Sequence, residues 1–138
     1  ESSAVHHVDL MPTLTAWCGI EGPPATVELD GVDLSGLIRG DRPLTERALY
    51  WHFPRYLEGK GPDDPRWRTT PCSVIRQGRW KLVEFFDDGR RTLHDLDGDL
   101  GEANDLAASE PERVQQMTSD LRAWQAAIQA PLPQRIDS

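Results

Sequence analysis

Residues 72–96 read Cys-Ser-Val-Ile-Arg-Gln-Gly-Arg-Trp-Lys-Leu-Val-Glu-Phe-Phe-Asp-Asp-Gly-Arg-Arg-Thr-Leu-His-Asp-Leu. Two β-rich runs, 72–77 and 79–86, meet near Gln77-Gly78. Asp87-Asp88-Gly89-Arg90 then marks a hairpin, because Asp-Gly tolerates the positive φ of a tight turn. Residues 91–96 form the return strand. Upstream, Arg47-Ala-Leu-Tyr-Trp-His-Phe53 alternates with period two. It places Leu49, Trp51 and Phe53 on one side and Tyr50 and His52 on the other, before Pro54 stops it. The spacing predicts an antiparallel meander of about four strands.

Downstream, Ser109-Glu110-Pro111-Glu112 reads as a capping box with Pro at the start of a helix. Val114, Met117, Leu121, Trp124 and Ile128 follow at helical spacing as one apolar stripe, ended by Pro131 and Pro133. The expected fold class is therefore α+β, a sheet of about four strands packed by a long C-terminal helix. Residues 9–19 predict a shorter helix, with Asp9 as its N-cap and Gly19 as its left-handed stop. Its face of Leu10, Leu14, Trp17 and Cys18 is apolar and needs a partner. Between them, 21–46 reads as a connector holding one turn at 33–38, pinned by Leu34, Leu37 and Ile38 and ended by Gly40. Residues 54–71 form a long loop of the kind that is usually functional or disordered.

Composition narrows the function classes. The chain has 138 residues, 23 acidic against 15 basic, for a net charge of −8. An acidic chain without a basic run is a poor partner for nucleic acid or an anionic membrane surface. No apolar run approaches the roughly 20 residues a membrane span needs. Cys18 and Cys72 suffice neither for a disulfide framework nor for a zinc site. The opening Glu1-Ser2-Ser3 carries no initiator Met and no signal-peptide pattern, so the expectation is a start inside something larger, or after processing.

Several segments, taken in order, resemble one family. They are Val8-Asp9-Leu10-Met11-Pro12-Thr13-Leu14, Leu29-Asp30-Gly31-Val32-Asp33-Leu34, and Leu49-Tyr50-Trp51-His52-Phe53-Pro54 a few residues after Arg47. Then come Cys72-Ser73-Val74-Ile75-Arg76 with Gly78-Arg79-Trp80-Lys81-Leu82-Val83-Glu84-Phe85, Leu93-His94-Asp95-Leu96, and Asp99-Leu100-Gly101-Glu102-Ala103-Asn104-Asp105-Leu106-Ala107. Together they resemble the late part of an arylsulfatase-type sulfatase of the alkaline phosphatase superfamily. The resemblance implies that 1–20 is the last helix of a large α/β domain, 21–46 a connector, and 47–138 the C-terminal subdomain. It implies a missing N-terminal sulfatase domain as partner, and a sulfated saccharide or aryl sulfate as substrate. It also implies a parent that hydrolyses sulfate esters with a formylglycine, made from a C/S-x-P-x-R motif, and a divalent cation, usually calcium. Neither the motif nor the metal-binding Asp/Asn set is found in this chain, so no cofactor and no catalytic residue is expected in it.

Four groups invite a functional reading. Cys72 and Arg76 have the signature spacing, but Val74 stands where the motif needs Pro, so a structural strand cysteine is favoured. His6-His7-x-Asp9 offers metal-ligand types, yet a helix cap explains Asp9 better. Asp95, Asp97, Asp99 and Glu102 suggest a calcium loop, but Leu100 and Leu106 occupy its glycine and glutamate positions. The remaining group is His52, Arg55 and Tyr56, at a strand end leading into the long loop, with Arg66 to Arg68 beyond. Arg binds sulfate or carboxylate bidentately, and Tyr or Trp stacks on a sugar or aryl ring. These three are the expected substrate-binding residues. A rival reading is a stand-alone carbohydrate-binding module using the Trp51–Trp67 region; another is a small hydrolase using Cys72 or the histidines.

Overall fold

The computed structural model describes residues 3–24, 26–57 and 70–133. It divides into two compact units, Glu1–Arg47 and Ala48–Ser138.

In the second unit, four strands run β1 (Ala48–Phe53), β2 (Cys72–Gln77), β3 (Trp80–Phe85) and β4 (Arg91–Asp95), in sequential order and antiparallel throughout. Gly78 (φ 57°) and Gly89 (φ 73°) take the left-handed conformation that the two tight connections require. The fold class is α+β, as the alternation of residues 47–96 and the stripe beyond it imply.

Register shows what faces what. Tyr50, Ile75, Leu82 and Leu93 form one cross-strand row. Ile75, Leu82 and Leu93 are fully buried with Met117 and Leu121. Those last two belong to the long helix Pro111–Ala127, which lies across β2 and β3. Each such side chain contributes about 1.5–3 kcal/mol when taken out of water. Trp124 stacks on Tyr50, with ring centroids 4.8 Å apart and planes 6° from parallel. The opposite sheet face carries Leu49, Trp51 and Phe53, so the expected alternation along β1 is present. Trp51 and Phe53 remain 38% exposed there.

The helix starts at Pro111, as expected, but its capping differs from expectation at both ends. Glu110, not Ser109, is the N-cap, and no side chain caps it. The Ser109 hydroxyl turns back to donate to the Leu106 carbonyl at 3.0 Å, so the capping box does not form. At the other end the helix stops at Ala127, before either proline. Gln129 takes a positive φ of 51°, and the Ala130 N–H donates to the Gln125 carbonyl. Ile128 therefore leaves the stripe and is 50% exposed.

In the first unit, a 3-10 turn at His7–Asp9 runs into α1 (Leu10–Cys18), and α2 (Ser35–Arg39) follows; the long helix of the second unit is α3. Gly19 and Gly40 close α1 and α2 in the left-handed conformation, as expected. Leu34 is buried, whereas Ile38 is 57% exposed and pins nothing. On α1, Leu10, Leu14 and Trp17 are each more than half exposed. Among the described residues no helix is long and apolar enough to cross a membrane.

Candidate functional site

Asp9 stands at the N-cap position of α1, as expected, but its side chain makes no capping bond to that helix; it closes the capping box of the preceding 3-10 turn instead. Its carboxylate is fully buried. Oδ2 accepts from the His6 N–H at 2.8 Å and from Arg47 Nη2, and Oδ1 accepts from the Val32 N–H at 3.0 Å. Burial works to raise its pKa. The Arg47 bond and the two backbone N–H groups outweigh that and hold the carboxyl below its ordinary value. One turn on, the Thr13 hydroxyl donates to the Asp9 carbonyl at 2.6 Å and accepts from the Leu34 N–H at 3.0 Å. Asp9 and Thr13 thus tie the start of α1 to residues 32–34. Gly31 makes the approach possible: a Cβ there would lie 2.0 Å from the Val8 carbonyl oxygen. The two motifs at 8–14 and 29–34 therefore interlock, and Arg47 completes them.

In the second unit a polar row crosses the helix-facing side of the sheet, through His52, Ser73, Glu84 and Arg91. His52 Nδ1 lies 2.6 Å from Ser73 Oγ, and Nε2 lies 2.9 Å from the Pro131 carbonyl oxygen. A carbonyl only accepts, so Nε2 donates to Pro131, while Nδ1 is held against the Ser73 hydroxyl. Ser73 Oγ in turn accepts from Gln125 Nε2 at 2.9 Å. Arg122 links the Gln125 amide to Glu84, and Arg91 adds a second guanidinium on the same Glu84 oxygen. Glu84 is 2% exposed, so its charge is tolerable only because two arginines share it.

The His52–Ser73 pair has the distance of a nucleophile and its base, but not the access. Ser73 is fully buried, and the far ring nitrogen is spent on Pro131. The row is a structural clasp between β1, α3 and the segment after α3. Arg55 and Tyr56 follow Pro54 on the surface, and both are exposed. Arg66, Trp67 and Arg68 lie outside the described residues.

The other candidates are absorbed by packing. Cys72 sits in β2 opposite Phe53 and Phe85. Asp95 pairs with Arg79, and Glu102 with Lys81. Asp99 accepts from the Ala103 and Asn104 N–H groups, which shape the acidic turn and lower its pKa. Among the described residues no three His, Cys, Asp or Glu side chains gather to hold a metal ion.

Comparison with known proteins places this arrangement. No family model matches the chain. A sulfatase from Formosa agariphila is 31% identical over 140 residues, a match spanning 92% of this chain and 24% of that protein. Human arylsulfatase A is 29% identical over 113 residues, spanning 82% of this chain and 20% of that protein. Among solved structures, BT4656 in complex with its substrate D-glucosamine-2-N,6-O-disulfate superposes with a TM-score of 0.61 at 22% identity. That likeness covers 86% of this chain and 23% of the other, and it speaks to the fold. Sulfatase homologues and structural neighbours therefore cover this chain along most of its length, consistent with a C-terminal portion of an arylsulfatase-type sulfatase. The chain spans less than a quarter of the length of either curated relative.

Proposed function

We propose that this chain is the C-terminal part of a sulfuric ester hydrolase. In this reading it packs against the large catalytic domain and lines one side of the substrate pocket. The observation that carries the reading is the match to a sulfatase over 92% of this chain. The formylglycine and divalent cation of the parent belong to the remainder of such an enzyme. The exposed face of α1, with Leu10, Leu14 and Trp17, is the surface that the large domain covers. Residues 1–20 then belong to that domain, 21–46 connect, and 47–138 form the subdomain.

His52, Arg55 and Tyr56 border the pocket with different tasks. Both nitrogens of His52 are engaged inside the protein, so it acts as a positioning residue that fixes where β1 ends. Arg55 and Tyr56, two and three residues beyond Phe53, reach the substrate. Arg55 supplies a guanidinium for a sulfate or carboxylate oxygen, and Tyr56 a ring face for a sugar or aryl group. A charge-assisted hydrogen bond to substrate contributes about 1.5–3 kcal/mol. Arg55→Ala in the full-length enzyme should therefore lower kcat/KM for a sulfated saccharide by roughly 10- to 100-fold. Its melting temperature should stay within about a degree, because the side chain is exposed. Unchanged kcat/KM on a panel of sulfated sugars and aryl sulfates would remove Arg55 from the pocket.

A further inference from the structure

Within the first unit, Val32, Asp33, Leu37, Arg42, Thr45 and Arg47 line a depression of about 460 Å³, within the range of small-ligand sites. Three of its features point to an anion. Arg47 Nε is buried and finds no acceptor among the described residues, although Nη2 of the same guanidinium is held by Asp9. A buried donor that no protein acceptor reaches is free to donate to an oxygen of a bound anion. Arg42, by contrast with the Arg39–Asp41 pair beside it, makes no ion pair among the described residues. Its side chain lies against bare Gly36, where a Cβ would meet Arg42 Nε at 3.0 Å and Nη2 at 3.4 Å, so the glycine leaves room for the arginine. The one acidic side chain in the lining, Asp33, is engaged locally, with Oδ1 accepting from both the backbone N–H and the hydroxyl of Ser35.

We propose that Arg42, Thr45 and Arg47 form an oxyanion site for a sulfate-class anion. A tetrahedral oxyanion presents several acceptors at once, which suits two guanidinium groups and a hydroxyl carried at positions i, i+3 and i+5 of one segment. The site stands on the geometry of the first unit alone and holds or fails independently of the catalytic role of the parent. Two sources present the same group, free sulfate and a sulfate ester on a sugar.

The test is a titration of the 138-residue chain, followed by the arginine Nε–H resonances. The probes are sodium sulfate, glucosamine 6-sulfate and unsulfated glucosamine, each at constant ionic strength set with chloride. Sulfate should shift the Arg42 and Arg47 Nε–H signals saturably, and Arg42→Gln should weaken the binding at least about tenfold. Asp33→Asn, which removes the opposing charge, should tighten it. Both substituted side chains are exposed, so the fold should persist, and backbone spectra would verify it. Glucosamine 6-sulfate acting like sulfate, with glucosamine inert, would assign the site to ester sulfate; sulfate acting alone would assign it to the free ion. Shifts matched by chloride, or unaffected by Arg42→Gln, would overturn the proposal.

Discussion

Replacing Asp9 by Asn removes one charge and adds one donor at the centre of the first unit. The wild-type carboxylate takes three donors, two on Oδ2 and one on Oδ1. An asparagine has one carbonyl oxygen. Placed toward Arg47 and the His6 N–H, it turns its NH₂ against the Val32 N–H; placed the other way, it opposes two donors. The loss is a charge-assisted bond to Arg47, about 1.5–3 kcal/mol, and at least one buried donor left unpaired, about 1–3 kcal/mol. Removing one member of a buried ion pair costs about 3–5 kcal/mol, which agrees with that pair of figures. At 1.36 kcal/mol per decade this is a factor of roughly 10²·² to 10³·⁷. Amide hydrogen exchange reads it locally: Val32 donates to Asp9 itself, and Leu34 donates to Thr13. Both amides should lose protection by that factor, while those of Ile75 and Leu82 in the sheet keep theirs. The sign with pH follows from the lowered pKa of Asp9. Its contribution is present above the ordinary aspartate value and is lost as pH falls through the lower folded value. The protection ratio of wild type to Asp9→Asn should therefore shrink toward one in acid. Protection at Val32 and Leu34 within about threefold of wild type at neutral pH would refute the reasoning.

Two further perturbations address the rest of the chain. Trp124→Ala removes the ring stacked on Tyr50 and opens a gap beside Leu121; Trp124 is only partly buried, so the expected loss is about 2–4 kcal/mol, read as a lower melting midpoint. An unchanged midpoint would mean that the α3 stripe is not core. The exposed apolar face of α1 should make the chain self-associate, and Leu14→Glu with Trp17→Glu should return it to monomer in sedimentation velocity without loss of helical signal. A wild-type monomer at high concentration would count against that face as a covered surface.

The strands and the long helix were legible because periodicity alone specifies them, two in β1 and about three and a half in α3. Helix ends were less so. Pro111 reads as the first helical residue and is, but the capping box before it does not form, and a left-handed Gln129 ends the helix short of Pro131. Asp9 shows a deeper limit. As a residue before an apolar helix it reads as a cap, and only the fold reveals that Val32 and Arg47, 23 and 38 residues away, claim its oxygens. The clue was the motif at 29–34, whose glycine has no local reason and a compelling distant one. The buried roles of Ser73, Glu84 and Gln125 were invisible for the same reason: each is an ordinary surface residue type until the register brings them into one row. His52 was singled out for its position, and the structure shows where both of its ring nitrogens go.

The central claim, that this chain shapes and supports a sulfatase whose chemistry lies elsewhere in the parent, is tested most directly by turnover. Purified 138-residue protein should release no more sulfate from an aryl sulfate than the buffer blank, with or without added calcium. Release proportional to protein concentration and abolished by Cys72→Ser would contradict the claim, because it would place the nucleophile within this chain.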